Sequence, residues 1–241
     1  MLPAPIDELP GFRRRIIVTP APNRVSSEVE DDYHCMGVTI HHDGKTATRI
    51  EAVMQRVPWT TCPGAVAMVE QTFTGVPLGG FVARGEKKSN CTHLHDLALL
   101  AAAHASDTKP LVYDILVSDP IEGQRHAQLR RDGVTVLSWA HVQGRMVEPA
   151  EVAGVRLDQL RSWIQSLDPE RQEAARLLQW GTILANGRTI DWERKADSGR
   201  LPIGNCYTFQ PERVSEAKHI GATRDFSHGT PQPLEEHRPA P

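Results

Sequence analysis

Tyr33-His34-Cys35-Met36-Gly37-Val38-Thr39-Ile40-His41-His42, then Asp43-Gly44, then Lys45 to Arg56, is the stretch that decides the fold. Asp-Gly between two alternating runs is a strong hairpin signal. Its register can be tested by the pairs that face each other. A two-residue turn sets Val38 against Arg49 and Met36 against Glu51. A three-residue loop, Asp43-Gly44-Lys45, sets Val38 against Ile50, Met36 against Ala52 and His34 against Met54. The second register makes one continuous apolar face and is preferred. It puts His34 on the core face, near Cys62, and His41 on the other. His41 and His42 flank the turn and read as solvated.

On the N-terminal side, residues 12–19 and 24–31 read as two further strands around Pro20-Ala21-Pro22-Asn23. Residues 1–11 read as an arm. On the C-terminal side, Cys62-Pro63 opens a helix to about Phe73, since proline suits a first helical turn. Glycine-rich Val76 to Lys88 reads as strand or loop. Ser89 or Asn90 can cap the next helix, Cys91 to about Ser106. After Asp107 the pattern changes. Leu111–Ser118 is β-rich, and Arg125–Arg131, Asp132-Gly133 and Val134–Val142 form a second hairpin. Leu157, Leu160, Trp163, Ile164 and Leu167 make one helical stripe. A second helix runs from Pro169 to about Ala185. Cys206–Phe209 reads as a short strand, Pro211–His219 as a final helix, and 227–241 as a proline-rich disordered tail. The fold class is α+β: an antiparallel sheet with helices on one face, a second β-hairpin and a helical C-terminal part. The expected divisions are 1–11, a core at 12–106, 107–226, and 227–241.

The chain has 241 residues, 24% of them charged, and a net charge of −3. Nothing in that balance favours a nucleic-acid or anionic-membrane partner. Arg13-Arg14-Arg15 precedes Ile16-Ile17-Val18 and reads as the solvated start of a strand rather than a basic patch. The longest apolar run, Leu97–Ala103, is far short of the roughly 18 residues of a membrane helix. The proline-rich, acidic N-terminus has no apolar signal core, so a soluble, cytoplasmic protein with reduced thiols is expected. A homo-oligomer is compatible with the sequence.

Cys91-Thr92-His93-Leu94-His95-Asp96 packs a thiol, two imidazoles and a carboxylate into one helix start. Free N–H groups and the positive dipole end there favour a thiolate. Cys62 opens the preceding helix in the same way. Taken singly a cysteine reads as core filler, and so does Cys206. Together, Cys62, Cys91, His93 and His95, with His34 nearby, form a candidate set for Zn²⁺ or Fe²⁺ or for a reactive thiol. Helical spacing pairs Cys91 with His95, at i and i+4. Asp96 reads as a dipole contact or an imidazole orienter. Trp139, Trp163, Trp180 and Trp192 read as core. Phosphate-binding glycine loops, nucleophile elbows, dinucleotide fingerprints and His-Glu-x-x-His are all lacking.

The double-arginine strand, the acidic-His element Asp31-Asp32-Tyr33-His34, the Cys62 helix and Cys91-Thr92-His93-Leu94 resemble bacterial domain-of-unknown-function family 2889 over roughly residues 13–106. That resemblance favours His93 over His95 and carries no activity with it. Ser89-Asn90 stands where the family more often has glycines. A second likeness is to NifU- and SufU-type iron–sulfur scaffolds, which open two helices with cysteines where Cys62 and Cys91 stand. Asp32 or His34 falls near that fold's third position, and Cys35 is near its further thiol.

The leading expectation is a soluble bacterial enzyme acting on a small organic substrate, a hydrolase or lyase using metal-assisted or thiol/imidazole acid–base chemistry. His93 or His95 would be the ligand or base, and His34 the orienter. A metal- or iron–sulfur-carrying accessory protein and a non-catalytic interaction module are the alternatives.

Overall fold

The computed structural model describes residues 4–190, 203–221 and 223–236. Among the described residues, eight strands and five α-helices make an α+β fold. The chain divides into two compact units. One is Ile16–Leu111 with the described part of 191–224. The other holds the described part of 1–15, Val112–Ile190, and the described part of 225–241. Strand β1 (Gly11–Ala21) serves both, its first five residues in one unit and the rest in the other.

In the first unit, β1 is followed by β2 (Arg24–Glu30), β3 (Cys35–His42) and β4 (Ala47–Arg56), ordered β4-β3-β2-β1. Helix α1 (Ala65–Phe73) packs on β4, α2 (Phe81–Arg84) is one short turn, and α3 (Thr92–Ala103) lies across β2 and β3. Val25, Val29, Ile40, Val69, Phe73, Leu94, Leu97 and Ala101 are sealed from solvent. Each large apolar side chain so buried contributes about 1.5–3 kcal/mol.

The β3–β4 hairpin differs instructively from its predicted register. Ile40 pairs with Ile50, Val38 with Ala52 and Met36 with Met54, two residues from the expected alignment. The loop is four residues long, because the Asp43 carboxylate accepts from both Lys45 N (2.9 Å) and Thr46 N (2.8 Å) and closes the turn one residue later. A bulge between His41 and His42 supplies the rest. A slide of two preserves faces where a slide of one would exchange them, so the apolar set stayed together. His42 is buried, against the solvated position expected, with Nδ1 accepting from Gly44 N at 3.1 Å.

The second unit orders its strands β1-β5-β6-β7-β8: β5 (Leu111–Ser118, from Val112 in this unit), β6 (Gln124–Arg131), β7 (Val134–Val142) and β8 (Arg145–Glu148). The predicted Asp132-Gly133 hairpin forms, with both turn residues at positive φ, 50° and 81°. Gln143-Gly144 makes a further such turn into β8, which the sequence did not suggest. Gly11 lies so close to the Val117 carbonyl that any Cβ would collide with it. Helix α4 (Arg161–Ser166) precedes α5 (Pro169–Ala185), capped by Asp168 through Arg171 N at 3.0 Å, and α5 packs on β6 and β7.

Three predicted elements are replaced. Val76–Lys88, expected as strand or loop, forms a 3-10 turn at Leu78–Gly80 and the short helix α2. Cys206–Phe209 is not a strand, since Tyr207 N donates to the Asn90 carbonyl (2.9 Å) and Tyr207–Phe209 closes a 3-10 turn. The helix expected at Pro211–His219 is a run of turns. Its main chain bonds to residues 58–60 instead, Thr60 N donating to Lys218 O and Ile220 N to Pro58 O. With so few apolar residues the segment has no stripe to hold a helix down. Trp139 is buried as expected, and Trp192 lies outside the described residues. In the C-terminal segment Ser227 and Leu234 are buried, and residues 237–241 lie outside the described residues.

Candidate functional site

The site lies in the first unit and begins with a turn. The fully buried Asp31 Oδ1 accepts from Tyr33 N (2.8 Å) and His34 N (2.9 Å), an Asx arrangement that ends β2 and starts β3. The same oxygen accepts from His34 Nδ1 at 3.0 Å. With Nδ1–H committed to the carboxylate, a neutral His34 ring carries its lone pair on Nε2. Arg56 braces the turn from outside, donating to the Asp31 carbonyl (2.6 Å) and Glu30 Oε1 (3.0 Å).

Helix α3 brings the next groups. Asn90 is buried and donates its amide to Thr72 Oγ1 (2.9 Å) and Glu86 O (3.1 Å), which fixes the loop before the helix. Cys91 then occupies the N-cap, with extended φ and ψ. His93, in the first turn, lies over the helix mouth: its Nδ1 is 4.0 Å from Cys91 Sγ, and its ring stacks on His34 with centroids 3.9 Å apart. The result is a run of four groups, Cys91, His93, His34 and Asp31, each in contact with the next.

His95 is placed elsewhere. It donates Nε2–H to the Gly85 carbonyl at 2.8 Å and packs 5.2 Å from Phe73, pinning the α2–α3 loop. Asp96 takes Lys87 at 2.6 Å. Of the two histidines, His93 therefore meets the thiol, and His95 holds the scaffold.

Cys62 and Cys206 complete the neighbourhood. Cys62 opens a 3-10 turn (Cys62–Gly64) that leads into α1, and its Sγ lies 3.4 Å from Thr208 Oγ1. Thr61 also donates to that hydroxyl, at 3.2 Å. Burial pushes the Cys91 thiol up to about 12, the adjacent Cys62 adding to the shift. The N–H groups of Leu94 and His93 pull it down, as a helix start should, but desolvation wins. Burial likewise raises Cys62 to about 11 against the Thr208 hydrogen bond. Both cysteines also feel the charge Cys206 would carry. Cys35 is held by Gln55 at 3.3 Å. All these thiols rest protonated, contrary to a standing thiolate.

Asp31, Cys206 and Thr208 were not among the expected site residues. An aspartate three residues before a histidine is a turn signal that could have flagged Asp31. Nothing local could place Cys206, which reaches the site by a contact more than a hundred residues away in sequence. Among the described residues no group of three or more His, Cys, Asp or Glu side chains is arranged to hold a metal ion.

The site thus defines an α+β protein with a thiol–imidazole cluster at a helix N-terminus. Residues 18–106 match a protein family described as "protein of unknown function (DUF2889)". The match carries the resemblance drawn from Cys91-Thr92-His93-Leu94 and does not extend to the iron–sulfur scaffold. No curated protein matches the chain. No helix among the described residues is long and apolar enough to cross a membrane.

Proposed function

We propose that this protein is an enzyme using thiol–imidazole chemistry on a small organic substrate, as a hydrolase or lyase. The observation that carries the reading is the unbroken run Cys91, His93, His34, Asp31. A thiol held near 12 attacks nothing by itself. Transfer of its proton to His93 would give the nucleophile, and a substrate carbonyl or leaving group at Sγ supplies the reason for transfer. The 4.0 Å separation is loose for S–H···N, as resting catalytic hydrogen bonds often are. The resulting imidazolium would lie on His34, whose far side carries the Asp31 carboxylate at 3.0 Å. The same His34–Asp31 bond fixes the ring.

The metal-carrying reading has one observation in its favour: Tyr207 N bonds to Asn90 O and Thr208 Oγ1 meets Cys62 Sγ, which gathers the segments bearing Cys62, Cys91 and Cys206. A soft cation would displace the thiol protons that burial now retains, but the thiols would have to close on one another first.

One set of measurements tests both. Hydrolysis and elimination panels of activated esters, thioesters and β-substituted acids would be run on the wild type, Cys91→Ser and His93→Gln, with elemental analysis of each. Turnover that falls at least 10²-fold in kcat/KM in both variants, with circular dichroism unchanged, supports the enzyme. Stoichiometric zinc or iron in the wild type, lost in Cys91→Ser and without turnover, supports the carrier. Neither turnover nor metal would reduce the cluster to core packing.

A further inference from the structure

The second unit, quite apart from the thiol cluster, contains a cavity of about 320 Å³ lined by Arg13, Arg15 and Arg130, by Asp7 and Asp114, and by His228 and Gln232 among others. Arg14 also lines it, with its guanidinium over the Trp180 ring, and two of the four guanidiniums are already matched to carboxylates. Arg130 grips Asp7 with both nitrogens, and Arg15 Nε donates to Asp114 at 2.7 Å.

Arg13 is different. It is only 8% exposed, and its Nη2 donates to two main-chain carbonyls, Asp7 O (2.7 Å) and Leu9 O (3.1 Å). Its Nε is buried with no hydrogen-bond partner among the described residues. Burial presses on its charge, and the nearest carboxylate, Asp7, already belongs to Arg130. A guanidinium does not neutralise at ordinary pH, so a buried one with an unsatisfied donor leaves a standing demand for an anion. Beside that Nε stands Gly229, at φ +74°, where a Cβ would come within 3.4 Å of it. The glycine keeps side-chain bulk away from the donor.

We propose that this cavity binds a small organic molecule through an oxyanion, phosphate or carboxylate, seated on the Arg13 guanidinium. The fork geometry of arginine suits both anions, and the volume fits a metabolite-sized ligand. Arg15 and Arg130, each paired with a carboxylate, stand around it.

The test uses the full chain, with inorganic phosphate and acetate as probes and sodium chloride matched in ionic strength as the control. Binding is read by calorimetry and by thermal shift. Saturable binding of phosphate identifies a phosphate-bearing ligand, and saturable binding of acetate alone identifies a carboxylate. Arg13→Gln should weaken either at least tenfold. Asp114→Asn, which releases Arg15, should tighten it severalfold and keeps the test decisive where Arg13→Gln does not fold. No saturation by either anion overturns the proposal. So does an affinity that neither substitution moves.

Discussion

Replacing Asp31 by alanine should be among the most damaging single substitutions in the first unit, and the cost can be worked from its contacts. Asp31 Oδ1 accepts Tyr33 N, His34 N and His34 Nδ1 at 2.8, 2.9 and 3.0 Å, from a side chain wholly removed from water. Hydrogen bonds to a charged acceptor are worth about 1.5–3 kcal/mol each, and a buried donor left unmade costs about 1–3 kcal/mol. The three share one oxygen and are not additive. A total of about 3–5 kcal/mol is expected for Asp31→Ala, the range for breaking a buried pair. Asp31→Asn keeps an acceptor oxygen in place and loses only the charge, so about 1–2 kcal/mol is expected. Urea denaturation gives both numbers from the midpoint at constant m. The loss should also free the His34 ring, changing the ring-current shifts of His93 protons in the NMR spectrum. An alanine variant within about 1 kcal/mol of wild type, with those shifts unmoved, would refute the claim that Asp31 builds the site.

Two further outcomes are expected. Burial, with Arg125 adding to it, depresses His141 from 6.5 to about 4, so its contribution to stability is fully present above pH 6.5 and is lost as pH falls through 4. His141→Gln should flatten the decline in unfolding free energy between pH 6.5 and 4, and an unchanged slope would remove His141 from the acid response. Truncation after Phe226 removes Ser227 and Leu234, both buried, and the Gly11 N to Ser227 O bond. A fall in Tm of several degrees is expected by calorimetry, where a free tail would give none.

Much of the architecture was legible locally, for a physical reason. Strands and tight turns are written in nearest neighbours: alternation marks a half-buried strand, and Asp132-Gly133 demands a two-residue turn because both residues tolerate positive φ. The face of β3 bearing Met36, Val38 and Ile40 was readable even though its register was not, because a two-residue slide is silent to alternation. The slide itself was decided by where the Asp43 carboxylate found its N–H partners. The helix at Cys91 was likewise readable from its sequence, while the choice of His93 over His95 as the thiol's neighbour was not. Spacing along a helix favours i and i+4, but the Gly85 carbonyl and Phe73 claimed His95, and His34, arriving from another element, gave His93 a ring to lie on. The resting charge of Cys91 turned on the same distinction. A helix N-terminus, visible in the sequence, lowers a thiol, whereas burial, which only the assembled chain confers, raised this one to about 12.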